Sequence, residues 1–203
     1  MLLEINDIEK RFGDRQVLDG ISFTVDSGEA VALLGSNGAG KTTLLRIINR
    51  IIEPDAGEVF FDGRPMDRQA LEFIGYLPEE RGLYRHMPAD RQLVYLARLK
   101  GMPRNQAEEA MTQWFERLKV GDWSHRYVNK LSKGMQQKIQ FIATVIHSPR
   151  LLILDEPFSG FDSDNATMLK QELLRLKSEG TAILLSTHNL QAADEMCDKT
   201  IRL

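Results

Sequence analysis

The sequence predicts an α/β core built on a largely parallel sheet, with an antiparallel β portion from the N-terminal third and a helical insertion. Three observations carry this reading. The runs EAVALL (29–34), LLILDE (151–156) and TAILLSTH (181–188) are short and nearly continuous in apolar residues, the pattern of strands buried on both faces. Segments with apolar residues at helical spacing flank them, KTTLLRIINR (41–50) and NATMLKQELLRLKSEG (165–180). Residues 87–119 and 132–147 are rich in Leu, Met, Ala, Gln and Glu at helical spacing, with Gly101, Pro103 and Gly121 as punctuation.

The N-terminal third supplies the antiparallel portion. LLEINDI (2–8) and ISFTV (21–25) read as strands set off by the turn sequences RFGDR and DSGE, and GEVFFDG (57–63) reads as another; FIGYLP (73–78), beyond that third, reads as a further strand. The organisation is one domain over 1–203, with a discontinuous α/β core at 1–77 and 148–203 and a helical insertion at 78–147. No repeat, low-complexity segment or long linker interrupts it.

Composition narrows the functional classes. A length of 203 residues with 42% hydrophobic content is enough to fill one large core. The formal net charge of −3 gives no general attraction to nucleic acid, so no nucleic-acid partner is expected. Cys197 is the single cysteine, which excludes an intramolecular disulfide and fits a reducing cytoplasm. No apolar segment approaches the roughly 20 residues needed to span a bilayer, so a membrane span would have to come from another chain.

The most informative stretch is LLGSNGAGKTTLL (33–45), which sets three glycines and a lysine between a strand and a helix. Glycine lets another molecule approach the main chain. Gly35, Gly40, Lys41 and Thr42 fit a phosphate loop, in which backbone N–H groups cradle phosphates, the lysine reaches the terminal ones and the hydroxyl holds Mg²⁺. The unpaired amides and the dipole at a helix start favour an anion there.

Two further motifs bear on the same chemistry. LLILDEP (151–157) runs an apolar strand into adjacent carboxylates, where Asp155 would join the Mg²⁺ shell and Glu156 would orient or deprotonate a water. A helix-capping acid pair is the plainer reading of those two residues taken alone. LSKGMQQK (131–138) opens a helix with Ser132 as N-cap and Gly134 leaving the backbone accessible.

Together these motifs resemble the nucleotide-binding subunit of ATP-binding cassette (ABC) transporters over essentially the whole chain. GSNGAGKT resembles that family's Walker A, LLILDE its Walker B, LSKGM its signature, SGFD (159–162) its D-loop and STH (186–188) its switch histidine, in family order. The resemblance implies a P-loop NTPase (RecA-like) core, ATP and Mg²⁺ as ligands, and hydrolysis of ATP. It implies that Lys41 contacts the β- and γ-phosphates, that Thr42 holds Mg²⁺ and that Gly38, Ala39 and Gly40 donate N–H groups, with Ser36, Asn37 and Thr43 completing the cradle. His188 would contact the γ-phosphate and Asp162 would signal across a dimer, while Ser132 and Gly134 would meet ATP bound by a second, head-to-tail copy or paired cassette. Phe12 stands where the family often has a tyrosine that stacks on adenine; a core aromatic is the other reading.

Three departures from the family pattern stand out. Glu79 follows GYLP where the family usually has glutamine; it could face the metal, or pair with Arg81 or Arg85 as a loop acid. Lys133 and Met135 replace a glycine and a glutamine of the commonest signature. The chain ends after CDKTIRL, where family members usually continue, and a compact member and a trimmed chain both fit.

The expected partner is a membrane-spanning permease subunit, met near residues 79–88, with the protein peripheral on the cytoplasmic face. PEERGLY resembles the export-type subfamily. A soluble cassette ATPase acting on ribosomes or DNA would use the same motifs, as would a non-hydrolysing nucleotide sensor, although Glu156 speaks against the latter.

Overall fold

The computed structural model describes residues 1–80 and 82–203; Arg81, considered above as a partner for Glu79 and as part of the 79–88 surface, lies outside them. In chain order the strands and helices are β1 (Leu3–Phe12), β2 (Arg15–Val25), β3 (Ala30–Leu34), α1 (Lys41–Ile48), β4 (Ala56–Phe61), β5 (Arg64–Pro65) and β6 (Ile74–Leu77). They continue with α2 (Ala89–Leu99), α3 (Arg104–Leu118), α4 (Lys133–Val145), β7 (Leu151–Asp155), α5 (Ser163–Ser178), β8 (Ala182–Thr187), α6 (Leu190–Asp194) and β9 (Lys199–Arg202).

Two sheets result. One is antiparallel, in the order β2-β1-β4-β5, and the other is parallel, in the order β6-β7-β8-β3-β9. The N-terminal strands are longer than the sequence runs indicate, because β1 and β2 continue through RFGDR to a tight turn at Gly13 and Asp14. β9 is a four-residue strand on the outer edge of β3, and three of its residues are exposed, so it carries no buried apolar run to announce it.

Alternation along the parallel strands divides the core. Ala30, Ala32, Leu152, Leu154, Ile183 and Leu185 face a cluster that includes Leu93, Phe115, Phe141, Ile142 and Leu173 of the helices α2 to α5. Val31, Leu33, Leu151, Ile153 and Leu184 face α1 and the antiparallel sheet through Leu44, Ile48, Ile5 and Phe23. A strand buried on both faces needs an apolar residue at every position, which is why β7 and β8 read as continuous runs.

Register decides where function can sit. Leu34 of β3 lies opposite Thr187 of β8, and Asp155 of β7 lies opposite Ser186. The segments that follow β3, β7 and β8 therefore leave one edge of the sheet together, at the carboxyl ends of parallel strands, where open α/β sheets place their ligands.

A polar pair is built into the packing of α4 against β6. Lys100 Nζ and His147 Nε2 both donate to Ile74 O, at 2.8 and 3.2 Å, and His147 Nδ1 is buried without a partner among the described residues. Burial, reinforced by the Lys100 ammonium, pushes the His147 imidazole down from 6.5 to about 4. Between those values the unfolded chain binds the proton and the folded chain does not. This group's contribution is complete above the unfolded value and is lost as pH falls toward the folded one. From pH 7 to pH 5 the wild-type protein is expected to lose about 2 kcal/mol more stability than His147→Gln, measured by urea unfolding. Equal losses would contradict a neutral, buried His147.

Candidate active site

The phosphate loop connects β3 to α1. Gly40 is the N-cap of α1 with φ 102° and ψ 0°, and it offers no side-chain cap. The amides of the first helical turn are thus left without a side-chain acceptor. A Cβ on Gly40 would lie 2.8 Å from both Val17 O and Leu18 Cδ2 of β2, so positive φ and close approach together require glycine. The Ala39 N–H, expected to be open to a phosphate, donates to Ser36 O at 3.1 Å.

The Lys41 side chain is 7% exposed and folds under the loop, with Nζ donating to Gly35 O at 2.7 Å and to Ser36 O at 3.2 Å. Its nearest anion is Glu156 Oε1 at 3.6 Å. A buried ammonium costs several kcal/mol unless carbonyls and a counter-charge surround it, and here both do.

Glu156 follows β7 with φ 47°, a left-handed conformation that costs about 1 kcal/mol or more for a residue with a Cβ. The strain turns its carboxylate toward the loop. His188 Nδ1 lies 3.1 Å from each Glu156 oxygen, so Glu156 stands between Lys41 and His188. His188 is itself exposed and open to solvent.

Ser186 ties the two acids together. Its hydroxyl donates to Asp155 Oδ1 at 2.6 Å and accepts the Glu156 N–H at 2.9 Å, all on the β7–β8 register. Asp155 is 2% exposed and accepts this bond, so its carboxylate is oriented from behind. The capping reading of this acid pair does not hold, because the next helix, α5, is capped by Asp162.

A cavity of about 530 Å³ gathers most of the sequence-predicted residues: Phe12, Asn37, Gly38, Gly40, Lys41, Thr42, Thr43, Glu79, Glu156 and His188. Phe12 is 51% exposed on the cavity wall with Lys10 Nζ 5.6 Å from its ring centroid, which excludes the core reading of that aromatic. Glu79 also lines an adjoining cavity with Asp155, and no ion pair joins it to Arg85 among the described residues. Ser36 and Ala39 belong to the loop without lining the cavity.

Three predicted residues lie apart from it. Ser132 caps α4 by accepting Met135 N–H, Gly134 lies against Asn165, and Asp162 caps α5 by accepting Asn165 N–H at 2.8 Å. None of the three lines the cavity.

Arg15 and Ser186 also belong to the site, and nothing local in the sequence marks their contacts. Arg15 donates to Gly38 O at 3.1 Å and adds a cation at the cavity wall, but in the sequence it reads as the far side of a turn. Ser186 sits inside STH, and only strand register shows that it bridges the acids.

The oxygen donors suit magnesium. Among the described residues no group of three or more His, Cys, Asp or Glu could hold a metal by itself. Thr42, Asp155 and Glu79 offer a hydroxyl and carboxylates beside a phosphate-type cradle, the set Mg²⁺ takes when substrate phosphates complete its shell.

A family model described as ABC transporter matches residues 18–159. The chain belongs to the ABC transporter family. The ABC transporter ATP-binding protein YhaQ of Bacillus subtilis, uncharacterised, is 46% identical over 97% of this chain and 66% of its own length. The Nod factor export ATP-binding protein I of Burkholderia lata is 33% identical over 97% of this chain and 66% of its own length. The chain thus spans just under two thirds of both relatives. A solved structure described as the ATP binding subunit of an ABC transporter superposes with a TM-score of 0.92 at 32% identity, covering 100% of this chain and 86% of that one. The ABC fold therefore accounts for the paired sheets and the parallel core.

Ser186→Ala would leave Asp155 short of a buried donor and the Glu156 amide short of an acceptor. It is expected to cost about 1–3 kcal/mol of stability by denaturant unfolding. A variant as stable as wild type would show that the bridge has no structural role.

Proposed function

We propose that this chain is the ATP-binding and ATP-hydrolysing subunit of an ABC transporter, acting with a separate membrane-spanning permease. The observation that carries the reading is the convergence of Lys41, Glu156 and His188 on one cavity beside the uncapped start of α1. That combination offers a phosphate cradle, a cation for developing charge and a carboxylate to handle water.

In this reading the α1 amides and Lys41 bind the β- and γ-phosphates, with Ser36, Asn37, Gly38 and Thr43 around them, and Phe12 stacks on the adenine. Glu156 accepts a proton from the attacking water as its oxygen bonds to the γ-phosphorus and the bond to the ADP oxygen breaks. His188, within hydrogen-bonding reach of Glu156, orients that carboxylate and contacts the γ-phosphate. Mg²⁺, when bound, neutralises charge across the phosphates, and Thr42, Asp155 and Glu79 would hold it.

Ser132, Gly134 and Asp162 act on a second copy or paired cassette, arranged head to tail, a role in keeping with their place outside their own chain's cavity. No helix among the described residues is long and apolar enough to cross a membrane, and the span is assigned to the permease. Its docking surface lies near residues 79–88, where Tyr84 and the neighbouring Tyr95 are exposed with ring centroids 6.1 Å apart. Export is the favoured direction, in keeping with PEERGLY and with the export-named relative, and the subunit works at the cytoplasmic face.

Glu156→Gln is expected to lower ATP turnover by about 100-fold or more while ATP still binds. Turnover at the wild-type rate would remove Glu156 from the mechanism. Protein purified from detergent-solubilised host membranes should carry a stoichiometric polytopic subunit, identified by mass spectrometry. Ribosomal or DNA-repair partners without one would contradict the transporter reading.

A further inference from the structure

Lys133, in the first turn of α4, stands where the family's commonest signature has glycine, and its side chain has a definite place. A Cβ built on Gly160 would lie 2.7 Å from Lys133 Nζ and 3.2 Å from Cε. The end of the lysine therefore rests against the bare Cα of Gly160, in room that a side chain there would fill. Gly160 also has φ 72°, so its backbone favours glycine, and the lysine end occupies the space a side chain there would otherwise take.

Two further contacts join the same segments. Gln137 Nε2 donates a long bond of 3.5 Å to Ser159 O. Gly134 faces Asn165, whose Nδ2 would be 3.0 Å from a Cβ at that position. Asn165 in turn donates its backbone N–H and Nδ2 to the two Asp162 oxygens, each at 2.8 Å. The start of α4 thus meets the 159–165 segment at three points.

Charge favours the lysine's position. Among the described residues lining the adjoining cavity of about 410 Å³, Lys133 is the cation, and Glu79, Glu80, Asp155 and Glu156 line it as well. Lys133 is exposed and makes no ion pair among the described residues, so this attraction is long-range and partly screened, and it adds to the packing on Gly160 without replacing it.

We propose that Lys133 is a positioning residue that ties the start of α4, with Ser132 and Gly134, to the loop bearing Asp162, so that both meet a second copy as one unit. The proposal rests on the ATPase reading above and deepens it. The competing role for the ammonium is direct contact with the second copy's triphosphate. Its packing on Gly160 of its own chain, and the acidic lining of the cavity it borders, favour the tie.

The two roles make different demands. A lysine that holds phosphate contributes to ATP binding, and its loss raises KM. A lysine that presents other groups alters the rate of bound ATP, and its loss lowers kcat.

Steady-state ATP hydrolysis by wild type, Lys133→Met and Lys133→Arg separates them, with amide hydrogen exchange over residues 157–165 measured without nucleotide. Lys133→Met is expected to lower kcat about threefold to tenfold with KM for ATP within about twofold, and to speed exchange of the loop about twofold to fivefold. Lys133→Arg should restore both. An unchanged kcat, or a raised KM with kcat preserved, overturns the proposal, as does unchanged exchange. Wild-type protein that hydrolyses no ATP would instead count against the ATPase reading itself, and the exchange comparison would still decide whether the tie exists.

Discussion

A lysine ammonium held almost wholly out of water is the constraint on which the site depends. Lys41 needs anionic or carbonyl oxygen on every side that water has left, and it finds Gly35 O, Ser36 O and Glu156. Glu156 meets that need from a left-handed backbone conformation, and the same carboxylate lies 3.1 Å from His188 Nδ1. The hydrophobic core makes this arrangement affordable. Continuous apolar strands on both sides hold β3, β7 and β8 in register, and the register brings three separate segments to one edge of the sheet.

Strain and burial meet at the acid pair after β7. Glu156 is in an unfavourable backbone region, Asp155 is almost fully buried beside it, and a single hydroxyl from Ser186 serves both. Each feature would weaken an ordinary structural loop. Held by the sheet, they give two adjacent acids different environments: one is buried and oriented from behind, and the other turns toward the lysine and the histidine.

Much of this was legible in the sequence because its motifs are local. The phosphate loop, the acid pair after β7 and the Ser132 cap are each written within a few consecutive residues, and backbone geometry does the rest. What the sequence hid depends on contacts between distant segments. Arg15 reaches Gly38 across a hairpin, Ser186 reaches Asp155 across a strand pair, and Lys133 reaches Gly160 across the join of α4 and the loop before α5. β9 was hidden for another reason, since an exposed edge strand of four residues has no alternation strong enough to read. Phe12 fits both an adenine-stacking ring and a core aromatic in the sequence, and its exposure on the cavity wall excludes the core.

The separation of Ser132, Gly134 and Asp162 from the cavity bears on the central claim, that one complete hydrolytic site needs two copies. A complementation assay tests it most directly. Lys41→Ala removes the phosphate-loop lysine, Gly134→Asp sets a carboxylate where the second copy's phosphates would meet α4, and each variant alone should be inactive. If the site is shared, an equimolar mixture forms heterodimers with one intact site and regains about a quarter of the wild-type ATP turnover. A mixture as inactive as its two components would contradict a shared site and return the whole reaction to a single chain.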